Sequence, residues 1–154
     1  MVWALVVPAN LTLLTDNQRM HWAVRRRHVL ALREWGRWQA RRQGVPACER
    51  VWAALVVYPV TRRRFDPANW SPTAKALVDG ALVDSGVLRD DDAQHLLSLT
   101  FTAGGVVSGG SRRVVLYITD RAPSAHRWWD TAEEAQGWAP PRYATNLSEN
   151  SSKS

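Results

Sequence analysis

Between residues 62 and 94 the chain reads RRRFDPANWSPTAKALVDGALVDSGVLRDDDAQ. The arginine run Arg62-Arg63-Arg64 leads to a lone aspartate, Asp66. Asn69, Lys75 and Asp79 follow, and then the triplet Asp90-Asp91-Asp92. Carboxylate oxygens are ligands for hard divalent ions. Guanidinium groups match phosphate oxygens in charge and shape. Taken singly, each feature has an ordinary use. Asp66 could form a turn, Lys75 and Asp79 at i,i+4 could be a surface ion pair, and the triplet could be a solvated acidic loop. Together they suggest metal-dependent cleavage of a phosphodiester, because three adjacent like charges repel unless a cation or base compensates them.

The elements that must position these residues follow from pattern. Residues 2–7 (VWALVV) read as a buried strand stopped by Pro8, and the following segment through Trp22 reads as a loop. Residues 23–43 turn helical and end at Gly44-Val45-Pro46, with Val24, Ala31, Trp35 and Trp38 able to share one apolar stripe. Residues 51–60 are a second strand. Ser71-Pro72 supplies a capping hydroxyl and a first-turn proline for a helix reaching Asp84, which Gly86 terminates. Residues 95–102 and 113–119 read as two more strands. Gly104-Gly105 and Gly109-Gly110 flank the connection between them, which is expected to be a hairpin. Residues 130–138 suit a short helix. The order β-α-β-α-β-β predicts an α+β fold, a single domain over residues 1–144 with a small mixed or antiparallel sheet. The tail 145–154 lacks apolar mass and is expected to be disordered.

Composition narrows the function. The chain has 154 residues, with 20 Lys and Arg against 14 Asp and Glu, for a formal charge of +6. All the basic residues except Lys75 and Lys153 are arginine. Arg25-Arg26-Arg27, Arg33, Arg37 and Arg41-Arg42 form one patch and Arg62-Arg63-Arg64 another, the footprint of a polyanion partner. Nine tryptophans are unusual at this length, and one or two could stack on bases. The single Cys48 excludes an internal disulfide and a four-cysteine zinc site. The four histidines lack zinc-ligand spacing. No stretch approaches the ~18 apolar residues of a membrane span, so a cytoplasmic protein with no membrane partner is expected.

The segment 62–94 resembles the core of RusA-type Holliday junction resolvases. That family shows basic residues, Asp-x-Asp-Asn, a helix with a lysine, and then Gly-x-x-x-Asp-Asp, often followed by Ala-Gln. The matches here are Arg62–Arg64, Asp66, Asn69, Lys75, Asp79, Gly86 and Asp91-Asp92-Ala93-Gln94. Residues 17–22 (NQRMHW, containing Arg19) resemble the N-terminal loop of some RusA-like proteins. The resemblance implies a Mg2+- or Mn2+-dependent endodeoxyribonuclease, a homodimer that resolves four-way DNA junctions by paired cuts. It implies catalytic roles for Asp66, Lys75, Asp91 and Asp92. It implies metal ligation by Asp66, Asp91 and Asp92 with Asp90 or Asn69. DNA contacts are expected from Arg19, Arg25, Arg26, Arg27 and Arg62–Arg64. One position departs from the pattern. Ala68 stands where the family's second aspartate would be, and a methyl group cannot ligate a metal. Asn69, Asp79 or Asp90 could supply the missing oxygen. The alternative is a junction-binding protein without turnover.

Overall fold

The strongest apolar run, Val51–Tyr58 (VWAALVVY), forms the central strand β2, and nearly every side chain in it is buried. Such a strand must be paired on both edges and covered on both faces. A computed structural model describes residues 1–108 and 110–135. It shows β1 (Val2–Val7), α1 (Trp22–Arg42), β2, a 3-10 turn (Pro67–Trp70), α2 (Ser71–Val78), a π-helical turn (Asp79–Asp84), β3 (Leu96–Ala103), β4 (Arg113–Thr119) and α3 (Asp130–Ala135). The class is α+β, one domain with a four-stranded mixed sheet in the order β1-β4-β2-β3. Strand β2 is antiparallel to β4 and parallel to β3. No helix among the described residues is long and apolar enough to cross a membrane.

The sheet corrects one expectation. Residues 96–103 and 113–119 are both strands, but they do not pair as a hairpin. Strand β4 instead inserts between β1 and β2. Burial explains the choice. All six residues Val114–Thr119 are buried, so β4 needs partners on both edges, whereas β3 is only partly buried along its length and tolerates the edge. Gly104 still matters, for another reason. A Cβ there would lie 2.3 Å from the Tyr58 ring, so only glycine lets the chain leave β3 beneath that ring.

Helices α1 and α2 cover one face of the sheet with the larger core, which includes Leu5, Leu32, Leu55, Leu77, Leu82 and Leu116. The buried stripe of α1 is Leu32, Gly36 and Ala40; of the expected Val24, Ala31, Trp35 and Trp38, Trp35 packs half-buried against this core, while Ala31 and Trp38 are exposed. Trp38 is 55% exposed. The small residues win because the helices cross backbone against backbone. A Cβ on Gly80 would lie 1.9 Å from the carbonyl oxygen of Arg33, and one on Gly36 would lie 3.1 Å from the Ala81 nitrogen. The opposite face of the sheet carries Tyr58, Tyr117 and Trp129 under α3. The Tyr58 and Tyr117 hydroxyls lie 2.6 Å apart, and the Tyr58 hydroxyl donates to the buried Glu133 carboxylate. Burial raises the Glu133 carboxyl above its ordinary range. The end of the helix expected over 130–138 and the tail 145–154 lie outside the described residues.

Gly80→Ala is expected to destabilise the fold by about 2 kcal/mol or more through overpacking, a fall of roughly 4–8 °C in Tm. Gly36→Ala, whose added Cβ would lie 3.1 Å from its nearest backbone atoms, is tight but less so and should cost less. Thermal unfolding followed by circular dichroism checks this. Equal losses at the two glycines would mean that the crossing yields easily and sets nothing.

Candidate active site

The chain leaves β2 at Tyr58 and passes through the exposed Arg62, Arg63 and Arg64 to Asp66. The Asp66 Oδ1 accepts from the Ala68 backbone N–H at 2.9 Å and so caps the 3-10 turn. Pro67 fits this first turn because its missing donor would have no partner there. The turn runs straight into α2, so the free N–H groups are capped one turn earlier than expected. Ser71 is therefore inside the helix and not its cap. Its hydroxyl donates to Asp16 Oδ2 at 3.1 Å. The Asp16 N–H bonds the Asn69 carbonyl at 3.0 Å, which draws the loop after β1 against the start of α2.

One turn into α2, Lys75 lies between two carboxylates. Its Nζ is 2.6 Å from Asp79 Oδ1 and also contacts Asp91 Oδ2. The second contact spans 16 residues and folds the loop before β3 back along the helix. Asp79 and Asp91 raise the Lys75 pKa above its ordinary value, and Lys75 holds the Asp91 carboxyl below the usual carboxylate range. The other Asp79 oxygen lies 3.8 Å from Arg33 Nη1. Arg33 in turn grips Asp84 with two nitrogens, one at 2.7 Å from Oδ1, and depresses the Asp84 carboxyl. Asp84, Arg33, Asp79, Lys75 and Asp91 therefore form a chain of alternating sign. With every member ionised, its three acids outnumber its two bases by one charge.

The structure brings together some of the expected residues. Lys75 and Asp91 meet, with Asp79 as the third member. Asp92 binds elsewhere: its Oδ1 lies 2.6 Å from His95 Nδ1 and caps the Gln94 N–H at 2.9 Å, and His95 lowers its carboxyl. Asp90 Oδ1 accepts from the Asp91 N–H at 2.8 Å. Among the described residues no hydrogen bond or ion pair joins Asp66 or Asn69 to the triplet, and no group of three or more His, Cys, Asp or Glu is arranged to hold a metal. The donor chemistry fits Mg2+ bound as that ion prefers, through one or two carboxylates with waters and substrate oxygens completing its shell. Asp79 and Asp91 are such a pair, already gathered around one cation. A closed cage of protein ligands does not fit. Arg33, Asp84 and Asp16 carry no local sequence signal, since their partners lie 51, 51 and 55 positions away.

The arginines expected to contact DNA are largely open to solvent. On α1, Arg26 and Arg27 are exposed and Arg25 is half-buried. Trp22 is also exposed, and Trp38 lies under the Arg42 guanidinium at 5.2 Å. Arg19 is exposed in the loop before α1. Comparison with protein-family models and with curated proteins finds no match to this chain.

Arg33→Ala should cost roughly 1 kcal/mol at neutral pH, the scale of a half-exposed pair. The sign follows from Asp84. Its folded-state pKa is depressed, so its contribution is present above the unfolded value of about 3.9 and lost as pH falls through the folded value. The deficit of the variant should therefore shrink toward pH 2 in urea unfolding. An equal deficit at pH 2 and pH 7 would assign Arg33 to packing alone.

Proposed function

We propose that this chain is a metal-dependent endodeoxyribonuclease that cuts branched DNA, with four-way junctions as the substrate. The observation that carries this reading is the lysine held between Asp79 and Asp91 on a surface rich in arginine. An acidic cluster with one surplus negative charge can take up a further cation, and the chain's excess of arginine attracts a polyanion. Asp91 and Asp79 would hold Mg2+ or Mn2+. Asp66 and Asp92, and with them Asp90 or Asn69, are the further donors implied by the RusA-type resemblance. When bound, the ion would supply an activated water and charge stabilisation at phosphorus.

The rest falls to the protein. The Lys75 ammonium carries a full positive charge well above neutral pH, because its two carboxylates raise its pKa. It can therefore offset charge on a phosphate without giving up a proton. The turn is capped through Asp66 Oδ1 and leaves Oδ2 over, and Asp66 is exposed. Arg25, Arg26, Arg27, Arg19 and Arg62–Arg64 would grip the flanking backbones and set register without reading bases. A two-fold homodimer would present two such sites to opposed strands, as paired cutting requires. A cytoplasmic setting suits this role.

A second reading has its own support. Ala68 offers no ligand, and Lys75 already occupies the carboxylates that a metal would need. A protein built that way would bind junctions in EDTA and never cut them.

The test is nicking of a labelled synthetic four-way junction across a range of Mg2+ and Mn2+ concentrations. Wild type should nick, and Asp91→Asn and Asp66→Asn should lose on the order of 10²-fold or more in rate, the scale of removing one charge-stabilising group. Asparagine keeps the capping oxygen at position 66, so stability should be unchanged there. Tight binding with no nicking at any metal concentration would favour the second reading over the first.

A further inference from the structure

A cleft of about 300 Å3 opens where the chain leaves β2, lined by Thr61, Arg63, Arg64, Phe65, Trp70 and Arg112 among others. The pairing of the sheet creates it. Tyr58 at the end of β2 lies opposite Arg113 at the start of β4, so the segment leaving one strand runs beside the segment arriving at the other. The Val107 N–H bonds the Pro59 carbonyl at 2.9 Å and ties the β3–β4 connection to the same place. The adjacent Arg63 and Arg64 and, 48 positions further on, Arg112 thus line one space.

The electrostatics of that space are lopsided. Among the described residues no acidic side chain lines the cleft. Among the described residues Arg63, Arg64 and Arg112 form no ion pair, although Arg33, Arg37, Arg50 and Arg127 all do. Arg112 is placed by the face of Trp70, 5.0 Å from the ring centroid, and the buried indole holds it over the cleft. Unpaired guanidiniums turned into one cleft repel each other, and an anion relieves that repulsion. Arginine forks match the oxygens of a phosphate, and the Thr61 hydroxyl adds a neutral donor. The cleft has more room than one phosphate needs. Beyond Arg112 a second trough of about 550 Å3 shares Val60, Trp70 and Arg112 and presents Thr15, Gln18 and Ser111. A phosphate in the cleft would therefore have space for a sugar and a continuing chain on one side.

We infer that Arg63, Arg64 and Arg112 form a phosphate-binding site, filled by a backbone phosphate of the nucleic acid on the strand that runs past Asp66. The site deepens the nuclease reading and rests on it only for the polymer to which the phosphate belongs. Arg112 lies outside the motif segment 62–94 and has no part in holding a metal.

The experiment measures binding without cleavage, using the full chain in EDTA. Anisotropy of a labelled four-way junction and of a labelled single strand is followed against salt. In parallel, inorganic pyrophosphate is titrated by calorimetry. Arg112→Ala should weaken junction binding and reduce the slope of log K against log salt by about 1, and Arg63→Ala with Arg64→Ala by about 2. Arg121→Ala, at the far end of β4, is the control and should retain the wild-type slope. Arg63 and Arg64 are exposed and form no ion pair among the described residues, so that double variant tests the site even if Arg112→Ala disturbs Trp70. The inference is overturned if the cleft variants keep the wild-type slope, or lose no more than Arg121→Ala does, and pyrophosphate binding also does not depend on Arg112. Arg112-dependent pyrophosphate binding with DNA unaffected would keep the phosphate site but assign it to a free phosphate compound. Slopes that fall as expected in a protein that never nicks would uphold the site and remove the nuclease activity.

Discussion

The backbone contact between α1 and the turn after α2 governs the rest of the charged side of the molecule. Gly80 lies so close to the Arg33 carbonyl that no side chain fits between them. At that separation the Arg33 side chain reaches both Asp79 and Asp84. Asp79 is thereby fixed and turns its other oxygen to Lys75, and Lys75 draws in Asp91 from the loop before β3. Removing a methyl-sized gap from a helix crossing thus orders a row of charges that extends to the molecular surface. The coupling runs through contacts with little freedom: a packed backbone, a two-nitrogen arginine grip and an ammonium with two carboxylate partners.

The two signs of charge are handled differently. Nearly every acid near the site is committed to an internal partner: Asp84 to Arg33, Asp79 and Asp91 to Lys75, Asp92 to His95, and Asp66 to its own turn. Among the described residues the arginines at positions 62–64 and 112 make no such pairs. Exposed ion pairs add little stability, so this sorting has small consequence for folding. Its consequence is a field. Positive charge is left outward and uncompensated, while negative charge is confined and structured, an arrangement that attracts a polyanion and leaves a small acidic locus within it.

Part of this was legible in the chain. The apolar runs at residues 51–60 and 113–119 mark strands that need burial, and the helix from Ser71 to Asp84 follows from its apolar period and from Gly86, whose φ is 88°. The Lys75–Asp79 pair follows from its i,i+4 spacing. Strand order was not legible. A glycine-rich connection between two strands predicts a hairpin, and only the competition for buried positions in the sheet puts β4 next to β1 instead. The buried stripe of α1 is hidden in the sequence because apolar periodicity points to larger residues than Gly36 and Ala40, whereas a close crossing selects small ones. The cleft over Trp70 had no sequence signal, since Arg112 meets Arg63 and Arg64 only through the register of β2 with β4.

That register is itself held from the opposite face of the sheet. Tyr58 is the last residue of β2, and its hydroxyl belongs to a buried network with Tyr117 and Glu133, completed by Arg127 at 3.2 Å from the carboxylate. A buried network of this kind tolerates little displacement, because a shift would strand a buried polar group. The Tyr58 ring also covers Gly104 where β3 ends. The strand end from which residues 59–66 depart is therefore fixed in depth and direction before the chain reaches its first arginine. The arginines themselves need no stiff side chains to share a cleft. The polar core beneath the sheet fixes the end of β2, and the register of β4 against it brings Arg112 alongside.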